Sequence, residues 1–266
     1  MKDTLLDISK IESDLLDLIP KAGNITLKYW LKKISMKKKN LIDIVTEADL
    51  ESDNFIKRNL NTKYPFIPIL SEESDPSDYS SYLNLDYLWV IDPLDGTTNF
   101  SRGDSNFCIS IALVSHGKPI IGAIYKPIEK KLYWARKNGQ GAFLNGNKLA
   151  ISRVKKTSEA VICTDWSHNL ETKKKTISLL DKLIGRVRQI KLLGSATANL
   201  ALVAEGKIDL YWHVFLYPWD MAAAALIITE SGGEVTNLHG GEWNPFISDI
   251  LAGNPDIHCS IKKLIK

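Results

Sequence analysis

The stretch Trp89-Val90-Ile91-Asp92-Pro93-Leu94-Asp95-Gly96-Thr97-Thr98-Asn99-Phe100 places a group of polar residues directly after an apolar run. The run Tyr87–Ile91 is typical of a strand that is buried on both faces. Carboxylates at the end of such a strand are costly unless they are paired or bind a metal. The stretch therefore predicts a buried strand that carries Asp92 and Asp95 into a functional site.

The residues around these two aspartates indicate which ligands the site could hold. Asp92 and Asp95 stand three positions apart across a turn led by Pro93, so both can converge on one cation. Carboxylate and carbonyl oxygens favour Mg²⁺ or Mn²⁺ over zinc. Gly96 permits a close approach of the backbone, and the N–H groups of Gly96 and Thr97 at a helix start would face an anion such as phosphate. A turn capped by aspartates is the alternative, but capping does not require glycine and hydroxyl residues in this order.

Two further segments also place acidic residues at the end of a predicted strand or the start of a predicted helix. Glu72 and Glu73 come directly after a short strand, and Asp220 opens a helix of small residues. Taken singly, the glutamates could be a solvated pair and Asp220 a charge that favours a helix N-terminus. Together with Asp92 and Asp95 they predict a carboxylate site for two or three metal ions.

The composition excludes several classes of protein. The chain has 266 residues, 44% of them hydrophobic, and a net charge of +3, which is too balanced to indicate nucleic-acid binding. Three scattered cysteines do not form a disulfide framework, so a reducing compartment is the simpler interpretation. The apolar stretches are shorter than the ~20 residues of a membrane span. We therefore expect a cytoplasmic protein without a membrane partner.

The pattern of apolar residues predicts a mixed α/β fold. The first third opens with a helix interrupted at Pro20, then a basic loop at Lys32–Asn40, then a helix capped by Thr46. Strands and helices follow to the end, with short final strands at Val235 and Ile250–Leu251. The predicted strands before these are Phe66–Leu70, Tyr87–Ile91, Asn106–Ser115, Pro119–Lys126, Lys131–Arg136, Ala142–Leu144, Ser158–Thr164, Arg186–Lys191 and Ile208–Trp212. We expect one layered α/β domain over 1–266, with subdomains of about 1–150 and 151–266 and a site between them.

These motifs resemble those of the inositol monophosphatase family. Asp92–Phe100 resembles its first signature, and Trp219–Ala224, continuing to Glu230–Gly233, resembles its second. Asp43–Asp49 and Ser71–Ser74 stand upstream in the order that this family has. The resemblance implies a Mg²⁺-dependent phosphomonoesterase with a layered αβαβα sandwich, usually a homodimer.

The resemblance also implies a role for individual residues. Two or three Mg²⁺ ions, for which Mn²⁺ can substitute, would be held by Glu72, Asp92, Asp95, Asp220 and the Leu94 carbonyl. Thr97, supported by Asp49, would orient the attacking water beside Glu72, and the amides of Gly96 and Thr97 would bind the phosphate. Gly194, Ser195 and Ala196 would contact the substrate beyond its phosphate.

One departure from the family bears on the substrate. Inositol phosphatases carry an acidic residue seven positions before the aspartate of the Trp-Asp motif, where it binds substrate hydroxyls, and this chain has His213 there. Histidine can donate to a hydroxyl or pair with a second phosphate, but it does not replace a carboxylate acceptor. We expect a small polyol or sugar phosphate, inositol monophosphate first. The alternatives are fructose 1,6-bisphosphate, histidinol phosphate and 3′-phosphoadenosine 5′-phosphate, with a non-enzymatic binding or regulatory protein disfavoured because no metal ligand is lost.

Overall fold

The computed structural model describes residues 6–32, 36–38, 44–74, 78–138, 140–167 and 169–265. Within these ranges the chain forms α-helices and β-strands in a mixed order. The helices are α1 (Ile8–Tyr29), α2 (Glu47–Lys63), α3 (Thr97–Ser101), α4 (Leu170–Leu183), α5 (Ala196–Ala204), α6 (Pro218–Glu230) and α7 (Pro255–Ile265). The strands are β1 (Met36–Lys38), β2 (Ile44–Thr46), β3 (Ile69–Ser71), β4 (Leu88–Asp95), β5 (Cys108–Ser115), β6 (Lys118–Lys126), β7 (Lys131–Arg136), β8 (Ala142–Leu144), β9 (Asn147–Lys148), β10 (Val161–Cys163), β11 (Gln189–Lys191), β12 (Leu210–His213), β13 (Glu234–Thr236) and β14 (Ile250–Gly253).

The larger sheet has seven strands in the order β3-β4-β5-β6-β7-β8-β9. All its pairs are antiparallel except the parallel pair β3–β4. Strand β4 is buried along its whole length. Its side chains alternate, because Leu88 and Val90 join one apolar cluster and Trp89 and Ile91 join another. This confirms the prediction of a strand buried on both faces.

The smaller sheet has five strands in the order β11-β10-β12-β14-β13. Strand β10 pairs in parallel with β11 and β12, whereas β14 is antiparallel to both of its neighbours. Strand β12 also divides its side chains between two layers. Leu210 and Trp212 face one apolar cluster, and Tyr211 faces the other.

The two sheets and the helices form five layers. Helices α1 and α2 cover one face of the larger sheet, in the cluster that holds Ile19, Ile56 and Trp89. Helices α5 and α6 lie between the sheets, and α4 and α7 cover the outer face of the smaller sheet through Leu183 and Ile261. The helix-sheet-helix-sheet-helix order confirms the expected αβαβα sandwich. The central layer places the starts of α5 and α6 near the end of β4.

The first helices differ in one respect from their prediction. Pro20 lies inside α1, which continues through it for 22 residues in total, so of the predicted kink or division the division does not occur. Thr46 caps α2 as expected, because its hydroxyl accepts a hydrogen bond from the Ala48 amide.

Two elements correct the sequence interpretation. The basic segment predicted as a loop contains strand β1, which pairs with β2 in antiparallel fashion; residues 33–35 and 39–43, including the upstream motif residue Asp43, lie outside the described residues. Helix α7 was not predicted, although Ile257, Ile261 and Ile265 recur every four residues and are buried. In the part of the chain that the structure describes, no helix is long and apolar enough to cross a membrane.

Candidate active site

A break in the pairing of β4 brings two aspartates to the same site. A regular strand would point residues three positions apart to opposite faces. Asp92 pairs with Ser110 and Asp95 with Cys108, so three steps along β4 match two along β5. The register shift, next to Pro93 with its missing N–H, has the form of a β-bulge, which re-aims the following side chain. Asp92 Oδ1 also accepts a hydrogen bond of 3.0 Å from the Leu94 amide, which fixes its carboxylate.

Gly96 makes the turn from β4 into α3 possible. Its φ of +92° lies in the left-handed region, and a Cβ there would come within 3.0 Å of both the Asn106 carbonyl oxygen and Ser195 Cβ. Thr97 begins α3, so the amides of Gly96 and Thr97 stand at a helix start where amides lack partners within the helix.

Asp95 is held from the other half of the chain. Its Oδ2 accepts hydrogen bonds from Ser195 Oγ at 2.5 Å, from the Thr197 amide at 2.8 Å and from the Ala198 amide at 3.4 Å. All three donors belong to the start of α5, because Ser195 is the N-cap of that helix. One carboxylate oxygen is thus occupied by the protein, which leaves Oδ1 as the oxygen that can serve a cation.

Asp220 reaches the same place from the start of α6. Its Oδ2 accepts a hydrogen bond of 2.8 Å from the Tyr217 amide, and its carbonyl oxygen accepts one of 2.8 Å from Thr197 Oγ1. Helix α6 begins two residues earlier, at Pro218, a position that suits proline because its missing N–H needs no partner there. Thr197 on α5 therefore links this helix to α6 beside the carboxylates.

The carboxylates of Asp92, Asp95 and Asp220 form one compact acidic cluster. Each offers an oxygen within 4.8 Å of the other two. Burial raises the pKa of all three groups, and the neighbouring charges raise those of Asp92 and Asp220 further. Three carboxylates at this separation, of which Asp92 is buried and Asp220 half-buried, are a donor set that a hard divalent cation would neutralise. The residues present thus fit a magnesium-type ion.

Glu72 and Glu73, which follow β3, lie close enough for their charges to raise the pKa of aspartates in the site. Glu72 begins a 3₁₀ turn, Glu72–Ser74, and its charge contributes to the raised pKa of Asp92. The charge of Glu73 contributes in the same way to the raised pKa of Asp49. The charge of Glu72 thus acts on Asp92 and that of Glu73 on Asp49, although neither glutamate belongs to the group of three carboxylates that come within 4.8 Å of one another.

Asp49, which is buried, and Thr97, which is half-buried, form a hydrogen-bonded pair. Thr97 Oγ1 donates to Asp49 Oδ1 at 2.9 Å and also lies 3.2 Å from the Leu94 carbonyl oxygen. Asp49 Oδ2 accepts from the Thr46 amide at 2.8 Å and from the Thr46 hydroxyl. Burial raises the pKa of Asp49 to about 6, despite these hydrogen bonds to its charged form.

A cleft of about 650 Å³ opens beside the cluster. It is lined by Asp95 and Asp220 at the cluster and by Gly194, Ala196 and His213 beyond it, as expected for residues that meet a substrate. Ser195 was also expected to touch the substrate, and its hydroxyl instead points to Asp95.

Sequence reasoning missed Asp165, which also lines the cleft. Its Oδ1 accepts from the amides of Leu193 and Gly194 at 3.0 and 2.7 Å. Its Oδ2 accepts from Asn199 Nδ2 at 2.7 Å and from the Tyr211 hydroxyl at 3.2 Å. Asp165 thus fixes the loop before α5. Its position after the short strand β10, like Glu72 after β3, was the signal in the sequence.

The whole chain is similar to known proteins in sequence and in fold. The family model described as "Inositol monophosphatase family" matches residues 7–265. The chain is 35% identical to an inositol monophosphatase of Dictyostelium discoideum, over 94% of this chain and 92% of the relative. It is 34% identical to a fructose-1,6-bisphosphatase/inositol-1-monophosphatase of Thermotoga maritima, over 93% of each. The crystal structure of the extragenic suppressor protein suhB from Bartonella henselae superposes with a TM-score of 0.89 at 32% identity, covering 97% of this chain and 98% of that one.

Proposed function

Because this chain belongs to the inositol monophosphatase family, a family of divalent-metal-dependent phosphoric monoester hydrolases, we propose that it hydrolyses a small polyol or sugar phosphate with Mg²⁺. Inositol monophosphate is the first substrate to consider, since the relatives that match over most of the chain carry that name. The observation that carries the proposal is the cluster of Asp92, Asp95 and Asp220 beside the cleft, which Asp95 and Asp220 line.

The metal ions would be held by side chains from three parts of the chain. The ligands we assign are Glu72, Asp92, the Leu94 carbonyl, Asp95 and Asp220, for two or three Mg²⁺ ions, with Mn²⁺ able to substitute. When bound, such ions lower the pKa of water and neutralise charge on the oxygen that leaves phosphorus.

The protein's own residues position the water and the phosphate. Thr97 Oγ1 donates a hydrogen bond to Asp49, so its lone pairs are available to accept a hydrogen bond from the attacking water. Asp49, ionised above a pKa of about 6, can then take up a proton through this hydroxyl. The amides of Gly96 and Thr97 would bind the phosphate, and Gly194, Ala196 and His213 would contact the rest of the substrate.

Ser195 acts differently from its predicted role as a substrate contact. Because its hydroxyl donates to Asp95, we assign it the orientation of that carboxylate. A hydrogen-bonded ligand keeps its orientation before the ion binds, and this raises the affinity for the ion.

Fructose 1,6-bisphosphate is a second candidate substrate. His213 replaces the acidic residue that inositol phosphatases use for substrate hydroxyls, and it lines the cleft. The name of the Thermotoga maritima relative includes both activities.

We also propose a cytoplasmic homodimer. The three cysteines are free thiols, which suits a reducing compartment. Helix α4 exposes Leu170 and Ile177, and Ile184 caps its C-terminal end; each is more than half accessible, and they are spaced by seven residues along one side. Light scattering of the purified protein tests the dimer directly, and a monomer mass at micromolar concentration would reject it.

The activity is tested by phosphate release from a panel of compounds in Mg²⁺ and in EDTA. The panel holds inositol 1-phosphate, fructose 1,6-bisphosphate, histidinol phosphate and 3′-phosphoadenosine 5′-phosphate. We expect release from a polyol or sugar phosphate in Mg²⁺ only. Release that is unchanged in EDTA, or confined to the nucleotide, would contradict the proposal.

A further inference from the structure

Beyond the acidic cluster, the cleft has a second group of polar side chains that the proposed reaction does not use. Ser167, Lys173 and His213 all line it, from the segment after β10, from α4 and from the end of β12. We propose that these three residues form a subsite for a second phosphate group of the substrate. This inference rests on the proposed function, because it concerns the far end of the same substrate.

The hydroxyl of Ser167 is the first observation. Ser167 is only 3% exposed, and its Oγ has no hydrogen-bond partner among the described residues. A buried hydroxyl without a partner is costly, and native proteins satisfy nearly all such groups. Because Ser167 lines the cleft, a bound oxygen acceptor would supply the missing partner.

The ring of His213 is the second observation. Its Nδ1 accepts a hydrogen bond of 3.2 Å from the Phe215 amide, which places the proton of the neutral ring on Nε2. Nε2 of the neutral ring can then only donate a hydrogen bond. The ring lies parallel to that of Tyr211, 6.3 Å away, on the same side of β12. His213 therefore favours a ligand atom that accepts hydrogen bonds, such as a phosphate oxygen. A carboxylate side chain at the same position would favour a hydroxyl, which donates one.

The charge of Lys173 is the third observation. Lys173 is half-buried in the first turn of α4 and lines the cleft, and no ion pair of its ammonium occurs within the described ranges. Asp165 lies on the same wall, but both of its oxygens are occupied by four donors. Asp104 lines the cleft from the loop between α3 and β5, is exposed and accepts from the Asn106 amide. The wall made by β12 and α4 thus offers donors and one positive charge.

The size of the cleft agrees with a substrate that has two anionic ends. A volume of about 650 Å³ lies in the middle of the range for small-molecule sites. One phosphate would sit at the acidic cluster with its cations, and the other would meet Ser167, Lys173 and His213. We therefore expect sugar bisphosphates to be better substrates than the matching monophosphates.

The test compares fructose 1-phosphate with fructose 1,6-bisphosphate, which differ only in the second phosphate. We expect wild-type kcat/KM for the bisphosphate to exceed that for the monophosphate by about tenfold. In Lys173→Met and in Ser167→Ala this ratio should fall to within about threefold of unity, mainly through KM for the bisphosphate. Lys174→Met changes the neighbouring exposed lysine, which does not line the cleft, and should keep the wild-type ratio.

The substitution His213→Glu supplies the opposite chemistry. A carboxylate at this position would repel the second phosphate and accept hydrogen bonds from hydroxyls, so we expect the preference to shift toward inositol 1-phosphate. A wild-type ratio near one, or an equal effect of Lys173→Met and Lys174→Met, would overturn the subsite. Release from inositol 1-phosphate alone would overturn it as well, while leaving the proposed function intact. No Mg²⁺-dependent release from any of the three compounds would reject the proposed function itself.

Discussion

Ser195 Oγ donates a hydrogen bond of 2.5 Å to Asp95 Oδ2, although the two residues stand 100 positions apart in the chain. The same serine caps α5. One hydroxyl therefore joins the fold of the central layer to the orientation of a predicted metal ligand. Ser195 can therefore affect metal binding through Asp95, although it does not itself line the cleft.

Ser195→Ala should weaken metal binding more than it weakens the fold. Loss of a hydrogen bond to a metal ligand typically costs 10–100-fold in affinity or activity, so we expect the Mg²⁺ concentration for half-maximal activity to rise by about tenfold or more. The lost cap should cost about 1 kcal/mol of unfolding free energy. Activity measured across a Mg²⁺ titration checks this, with Ser260→Ala on α7 as the control serine. An unchanged Mg²⁺ requirement would show that Asp95 does not need Ser195.

Gly96→Ala should disable the site through a steric conflict. A Cβ would meet the Asn106 carbonyl oxygen and Ser195 at 3.0 Å, so the turn into α3 must shift. We expect activity to fall by about 10²-fold or more, since a displacement of 1 Å can cost that much. Gly232→Ala is the matched control, because Gly232 has a φ of +93° but nothing within 4 Å of its Cβ position. Equal losses in both variants would assign the effect to backbone strain alone.

The activity should fall in acid because of Asp49. With a pKa of about 6, this carboxylate becomes protonated as the pH falls through that value and can no longer accept a proton through Thr97. We expect kcat to drop about tenfold per pH unit below 6 in the wild type. Asp49→Asn should lower kcat by about 10²-fold and remove this acid limb, while Glu51→Gln on the same helix should retain it. A kcat profile that is flat from pH 7 to pH 5 would contradict the role of Asp49.

The metal-free protein should lose stability as the pH rises. Burial raises the pKa values of Asp92, Asp95 and Asp220 above 3.8, so folding favours their protonated forms. The stability that they contribute is complete below about pH 4 and is lost as the pH rises through their folded pKa values. Tm in EDTA should therefore decline from pH 5 toward pH 8.

Bound Mg²⁺ should offset this loss of stability at high pH. At 100 times its Kd, a ligand of the native state adds about 2.7 kcal/mol, which is about 5–10 °C in Tm. We expect a larger Tm increase at pH 8 than at pH 5, where protons compete with the ion for the carboxylates. Thermal unfolding at both pH values, with and without Mg²⁺, measures the difference. An equal increase at both values would disagree with a carboxylate site.

The site shows which features local sequence can predict. Asp92, Asp95 and Gly96 belong to one short stretch, so their residue types and order reveal a turn that carries ligands. The bulge that aligns the two aspartates depends on pairing with β5, and the stretch alone does not specify it. Asp220 was found because it stands at a helix start beside small residues. The resemblance to known phosphatases then connected these separate segments.

The features that were missed depend on contacts between distant segments. Asp165 accepts hydrogen bonds from amides 28 and 29 residues away, and its position after β10 marks it as a candidate without indicating these partners. Strand β1 exists through its pairing with β2, in a segment whose basic composition suggested a loop. Helix α7 could have been predicted, because its isoleucines recur every four residues and its last turn carries Lys262 and Lys263.

The most direct test of the account is Mg²⁺ binding and phosphate release measured on the same preparation of wild type and Asp220→Asn. Asp220 lies on α6 and joins the cluster from outside the β4 motif, so the variant tests the assembled site. We expect calorimetry to show Mg²⁺ binding that is weakened at least tenfold and phosphate release that is nearly abolished, with an unchanged circular dichroism spectrum. Wild-type Mg²⁺ affinity together with wild-type phosphate release in Asp220→Asn would contradict the assignment of this cluster as the metal centre.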